Sequence, residues 1–276
     1  MTDMSPPAGL ATLRAEIDRI DEAMHRLLME RGDIIDRLIA VKGTARSGAA
    51  FRPDREASMM RALASRHAGL LPLDTAEGIW RVIIATFTYV QAPFGVHADV
   101  SGGDAAMRDS ARFHFGFTVP YRPCPDAAAV VAAVAASRGD LGLVRLDQGA
   151  TAGPWWRLLE GDARPKVIAR LPFIERPDHP AGIPVLVVSQ PLETPAPAET
   201  LLVSVRCERW SDEAKAGLER SGGAIVAAAG EPQGLTLLLS WPASAGLEEA
   251  SAQLRPTGLR SLAPVGGHAA RFRHPG

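Results

Sequence analysis

The chain has 276 residues, a net charge of −1 from 30 Lys and Arg against 31 Asp and Glu, and 46% hydrophobic residues. That balance excludes nucleic acid or an anionic membrane as a partner selected by bulk charge, so any anion site has to be a local cluster of cations. The two cysteines, Cys124 and Cys207, have neither metal-ligand spacing nor a disulfide framework; with no leader-like N-terminus and no apolar run of membrane-spanning length, the expectation is a cytoplasmic protein.

The segment from Leu10 to about Lys42 lacks Pro and has one Gly. Apolar residues at Leu13, Ile17, Ile20, Met24, Leu27, Leu28, Ile34, Ile35, Leu38 and Ile39 trace a helical stripe. A Gly-, Ala- and Ser-rich loop over 43–51 comes next. Arg52-Pro53-Asp54 opens a second helix, with Pro in its first turn, that runs to about Gly69. A third helix opens at Pro72-Leu73-Asp74-Thr75 and stops at Pro93 and Gly95. At 1.5 Å per residue the first helix is about 45 Å long, against a radius of gyration of about 12–13 Å for a domain of its size. Its stripe would stand in water, so the length predicts pairing with the same helix of a second copy, a homodimer.

The cations on these helices are spaced. Arg31 and Lys42 lie eleven positions apart, which leaves them about 20° out of alignment and about 16 Å apart on one face. Arg14 is about 42 Å from Lys42 along the same rod, too far to serve one pocket within a chain, and reachable only across an antiparallel dimer. Arg55 and Glu56 of the second helix and Gln91 at the end of the third are candidates to complete the pocket. Taken singly, each of these is the ordinary wet face of a helix; only the set points to a small polyanionic ligand.

Beyond residue 95 the periodicity changes. Short β-prone and Ala-rich helical runs alternate: Ala111–Val119 as a strand, Asp126–Ser137 as a helix, Leu141–Leu146, Pro154–Glu160, Lys166–Leu171 and Ile183–Ser189. A Pro-rich stretch, 191–197, leads to a tail that reads strand, helix, strand, strand, helix, strand between Leu201 and Val265, the ferredoxin-like order. The expectation is a multidomain chain: an all-α three-helix domain over 1–95, an α/β domain over 96–190 and an α+β domain over 198–276. The seven histidines show no helical metal spacing, so no metal site is expected.

Leu13-Arg14-x-x-Ile17-Asp18-x-x-Asp21, Leu27-Leu28-x-x-Arg31 with Lys42, Phe51-Arg52-Pro53-Asp54-Arg55-Glu56-Ala57, and Ile79-Trp80-Arg81-x-Ile83-Ile84 with Gln91 together resemble the AroQ-type, all-helical chorismate mutase domain over about residues 8–95. The resemblance implies an intertwined homodimer and a cofactor-free rearrangement of chorismate to prephenate, a step of the shikimate pathway toward aromatic amino acids. It also implies roles. Arg31 grips one substrate carboxylate and Arg14 of the partner subunit the other. Lys42 and Gln91 donate to the ether oxygen, Glu56 accepts from the ring hydroxyl, and Arg55 supports the ring side. Arg52 stands where many members have Asp, and Phe87 where some have a small hydroxyl residue near a carboxylate.

The remainder resembles a prephenate dehydratase followed by an ACT domain, with departures. After Arg138-Gly139-Asp140-Leu141-Gly142-Leu143-Val144 the dehydratase family continues Pro, a hydrophobic residue, Glu, Asn, Ser; here the residues are Arg145, Leu146, Asp147, Gln148, Gly149. Ile183-Pro184-Val185 occupies the place of its Thr-Arg-Phe. In the tail, Ala227–Pro232 stands where a polar effector motif belongs. The resemblance therefore implies a mutase with a degenerate dehydratase-like region. The alternatives are a bifunctional mutase–dehydratase, a noncatalytic regulatory partner of a shikimate-pathway enzyme, and a lyase acting on isochorismate with the same cations.

Overall fold

A computed structural model describes residues 8–42, 50–192 and 197–274, with the Ala8 and Lys42 side chains outside the described set. The loop over 43–49 and the middle of the Pro-rich stretch, 193–196, also lie outside it. Three helices come first: α1 (Ala8–Lys42), α2 (Pro53–Arg66) and α3 (Leu73–Gln91). Next come β1 (Val96–Asp99), α4 (Asp104–Phe115), β2 (Tyr121–Cys124), α5 (Ala127–Ala136), β3 (Leu141–Arg145), β4 (Lys166–Leu171), β5 (Ile174–Glu175) and β6 (Val185–Ser189). The tail is β7 (Thr200–Cys207), α6 (Asp212–Arg220), β8 (Ala224–Glu231), β9 (Gly234–Pro242), α7 (Gly246–Leu254), β10 (Leu259–His268) and β11 (Phe272–Arg273). No helix among the described residues is long and apolar enough to cross a membrane.

The chain divides into two compact units, Met1–Ser47 and Gly48–Gly276. The sequence expectation sets one boundary at 95; the structure instead groups α2 and α3 with the sheet-containing remainder of the chain. The reason is what their inner faces touch. Ala57, Met60, Leu63 and Ala64 of α2 pack with Ala76 and Ile84 of α3 around Phe173 and Ile174. Ala85 of α3 joins Phe51, Phe94 and the sheet residues Leu141, Leu143, Val185 and Val187. Apolar spacing identifies a buried face but not its partner.

The α/β and ferredoxin-like parts share one nine-stranded sheet, ordered β2-β1-β3-β6-β4-β10-β7-β9-β8. β2, β1 and β3 are parallel, and β6 is antiparallel to both β3 and β4. The tail contributes an antiparallel β10-β7-β9-β8 block. The two halves meet where β10 runs parallel to β4, at the single register pair Gly266↔Val167. Alternation along the strands divides the core: Leu141 and Leu143 of β3 face α4 and α3, while Val144, Leu186 and Val188 face α5, Trp155, Trp156 and Leu159. The second of these clusters continues into Leu202, Leu238 and Val265 of the tail. On the other tail face, Val203, Val205, Leu237 and Leu239 pack under α6 and α7 through Leu218 and Leu254. Cys207 is buried and Cys124 half-buried, both free.

One expected strand is a helix. Ala111–Val119 reads as alternating, yet residues up to Phe115 belong to α4. Met107, Ser110, Ala111, His114 and Phe115 are its buried positions, a spacing of three and four that only a helix places on one side. Gly116, at φ 68, ends it. The strand there, β2, starts at Tyr121, and β1 adds a strand that the sequence pattern does not indicate.

Candidate functional site

In the first unit, Pro-free sequence lets α1 run unbroken for 35 residues. Arg14, Arg31 and Lys42 therefore stand on one helix, Arg14 exposed and Arg31 half-buried. The Lys42 side chain lies outside the described residues. Over its first part the accompanying stripe faces solvent in the single chain, with Leu13 59% exposed, Ile17 57% and Leu27 59%, while Ile35, Leu38 and Ile39 are half-buried.

In the second unit the remaining candidates fall on α2 and α3. Pro53 starts α2, and Arg52 precedes it as an exposed residue whose Nη1 donates to the Phe51 carbonyl at 2.8 Å. Arg55 is exposed and Glu56 half-buried. At the far end of α3, Gln91 turns its Nε2 back to donate to the Phe87 carbonyl at 2.9 Å, one turn earlier on the same helix. Phe87 is half-buried. The structure thus brings Arg14, Arg31 and Lys42 onto one helix and Arg52, Arg55, Glu56, Phe87 and Gln91 onto a pair.

Sequence reasoning misses the residue that holds Glu56. Arg81, only 5% exposed, donates from Nη1 to Glu56 Oε2 at 3.1 Å. Both line a cavity of about 50 Å³ whose walls include Phe51, Met60, Phe94 and Phe173. One turn before Arg81, the fully buried Glu77 faces His179 Nε2 at 3.2 Å and accepts from Arg176 at 3.4 Å, and Arg176 also pairs with Asp74. These contacts fasten α3 to the segment after β5. His114, buried beside Arg81 and His179, is held neutral: burial pushes its pKa well below the usual value, and those two neighbours add to the effect. The signal for this cluster in the sequence is a cation and an anion, four residues apart, on the apolar side of α3.

The stretch that follows β3 closes on itself. Arg145, buried at the end of β3, donates from Nε and Nη2 to the two oxygens of Asp147 at 2.6 and 2.7 Å. This hydrogen bonding is the main reason the Asp147 carboxyl sits below its usual pKa. The guanidinium lies against Gly102, where a Cβ would strike both it and the Gln148 amide. A side chain at that position would have to displace the Arg145 guanidinium and the Gln148 amide. Val185 is buried and Ile183 packs at the edge of the same core.

Residues 13–92 match the chorismate mutase type II family profile. A bifunctional chorismate mutase/prephenate dehydratase of Aquifex aeolicus is 30% identical over 142 residues, 50% of this chain and 39% of the relative. A protein of the same description from Neisseria gonorrhoeae is 30% identical over 112 residues, 41% of this chain and 30% of the relative. The chain thus spans less than half the length of these curated relatives. Among solved structures, GqqA, described as a novel type of quorum quenching acylase, aligns at TM-score 0.42 and 15% identity over 63% of this chain and 93% of its own. Prephenate dehydratase from Streptococcus mutans aligns at TM-score 0.41 and 12% identity over 65% and 99%. The profile match takes in α2, α3 and nearly all of α1, with Arg14, Arg31, Lys42, Glu56 and Gln91 inside it. Over residues 13–92 the chain is similar to the chorismate mutase type II family.

Proposed function

We propose that this chain is a chorismate mutase, an isomerase working without a cofactor as a homodimer built through α1. The observation that carries the reading is the family match over 13–92. The chemistry asks little of a protein beyond shape and charge. Chorismate has two carboxylates and an enol ether that must fold into a chair before one C–O bond breaks and one C–C bond forms. Arginines that hold both carboxylates supply the folding, and donors at the ether oxygen stabilise the charge that grows there. Arg31 takes one carboxylate and Arg14 of the partner subunit the other. Lys42 and Gln91 serve the ether oxygen, and Glu56 accepts from the ring hydroxyl. Arg52, Arg55 and Phe87 border the ring and carboxylate side. The exposed apolar residues on α1 support assembly, because pairing two such amphipathic helices takes those side chains out of water.

The test is the loss of chorismate absorbance with the full chain, beside Arg31→Ala and Lys42→Ala. Turnover that each variant reduces by about a hundredfold or more is the expected result; an inert wild type would remove the reading. A bifunctional mutase–dehydratase is the second reading, favoured by the description of both curated relatives. The Arg145–Asp147 pair and Ile183 speak against it, and formation of phenylpyruvate from prephenate would decide for it. Cytoplasmic location and a place in aromatic amino-acid synthesis belong to the same proposal.

A further inference from the structure

The cavity beside Glu56 is not explained by the mutase reading. It is bounded by α2, α3 and β4, and most of its wall is apolar and aromatic: Phe51, Met60, Phe94 and Phe173. Into that wall the chain places two arginines, Arg81 and Arg170, and one carboxylate, Glu56. Arg81 gives Nη1 to Glu56, while its buried Nε–H has no acceptor. Arg170 is half-buried on β4, and its buried Nε–H has none either. The acid nearest in charge to Arg170, Glu175, is already held by Arg271 at 2.8 Å and by Arg273 at 3.3 Å. Burial, with Arg271 close by, depresses the Arg170 pKa. Leaving a buried donor without an acceptor is costly. Two arginines that each keep such a donor line this one cavity, with a surplus of one positive charge over Glu56, and that describes a place for an anion.

We propose that this cavity binds a short aliphatic monocarboxylate. Its oxygens accept from Arg170 and Arg81, and its hydrocarbon end lies against Phe51, Met60 and Phe94. The planar carboxylate suits the guanidinium edge, and one negative charge matches the surplus. The volume sets the size. About 50 Å³ is three to five water positions at roughly 10–15 Å³ each, which fits a carboxylate group carrying one or two further carbons. The apolar wall gives such a ligand an advantage over chloride or phosphate, whose whole surface needs polar partners. Occupancy is also felt at Glu56, because ligand and Glu56 then share one guanidinium; this second half rests on the mutase reading, in which Glu56 meets the substrate.

The experiment measures the unfolding temperature of the full chain in rising sodium propionate against sodium chloride at equal ionic strength. Wild type, Arg170→Met and Arg170→Gln are compared, and the KM for chorismate is taken in parallel. Propionate is expected to raise the wild-type midpoint saturably, with about tenfold or more weaker binding in both variants. The wild-type KM should shift with propionate while the variants, of unchanged basal turnover, do not respond. Phenylacetate, too large for the cavity, should bind worse than propionate. Chloride matching propionate would mean an adventitious ion only, and it would overturn the site, as would variants that respond like wild type. A midpoint response without any chorismate turnover would keep the site and remove the mutase reading. A response of the midpoint with no shift in KM would refute the coupling to Glu56.

Discussion

At the scale of single residues, the proposed ether-oxygen donor gives the sharpest test. A glutamine amide needs no protonation to donate, so turnover should hold through neutral and mildly alkaline pH. Gln91→Glu should move the optimum downward, since only the protonated acid donates; an unchanged pH–rate profile would remove Gln91 from the reaction. A second prediction concerns His268. Its Nδ1–H donates to the Ala269 carbonyl at 2.8 Å, and burial, with Arg170 and Arg271 nearby, lowers its pKa from 6.5 to about 4. Above pH 6.5 neither the folded nor the unfolded chain protonates it, and its contribution to stability is complete. Between 6.5 and 4 the unfolded chain takes up the proton first, so stability is lost as pH falls, by about 1.4 kcal/mol per unit at most. His268→Asn should reduce the difference in urea-unfolding free energy between about pH 7 and pH 5 by about 1–2 kcal/mol; a variant with the wild-type slope would contradict this. The cations of α1 are legible in the sequence because they sit on one helix, where position is set by count. Arg81 and Glu56 pair across 25 residues of sequence, and no local period reports such a contact.

Elements carry a different kind of information. Helix α5 is Ala and Val throughout, capped by Asp126, whose side chain accepts from the Ala129 amide at 2.7 Å. It lies so near β3 that a Cβ on Gly142 would come within 2.5 Å of Val130 Cγ1 and 2.9 Å of Val134 Cγ2. Gly142→Ala should therefore cost about 1–3 kcal/mol, read from the urea midpoint, with turnover at room temperature unchanged while the protein stays folded. For α1 the expected outcome is about assembly. Ile20→Asp places a charge in the stripe, and light scattering should report a monomer with no measurable mutase rate; a dimer that survives it would argue against pairing through α1. Most element boundaries from Pro53 to His268 are readable, since Pro, Gly and the change of period mark them. Ala111–Val119 misleads because a short run of alternation fits a strand as well as one side of a helix, and only Met107 and Ser110, just before the run, separate the two.

For the whole molecule, the point at issue is how two recognisable halves become one sheet. Their join is the Gly266↔Val167 pair. Gly266 sits at φ +124 with backbone atoms of Val167 where a Cβ would go, so no other residue lets the two strands approach this closely. Gly266→Ala should lower the melting temperature by several degrees and speed amide exchange in β4 and β10 together; exchange changing in β10 alone would mean that the halves are energetically separate. The order of residues cannot announce this join, because each half satisfies its own pattern and the contact depends on a glycine and a strand about 100 residues away. The same join also bears on folding during synthesis. β10 comes after the other eight strands of the sheet in chain order but lies inside it, so β4 waits as an open edge while about 100 further residues are made, roughly 5–20 s at ordinary ribosomal speed. During that interval the nascent chain exposes a β edge that only its own later strand is shaped to close.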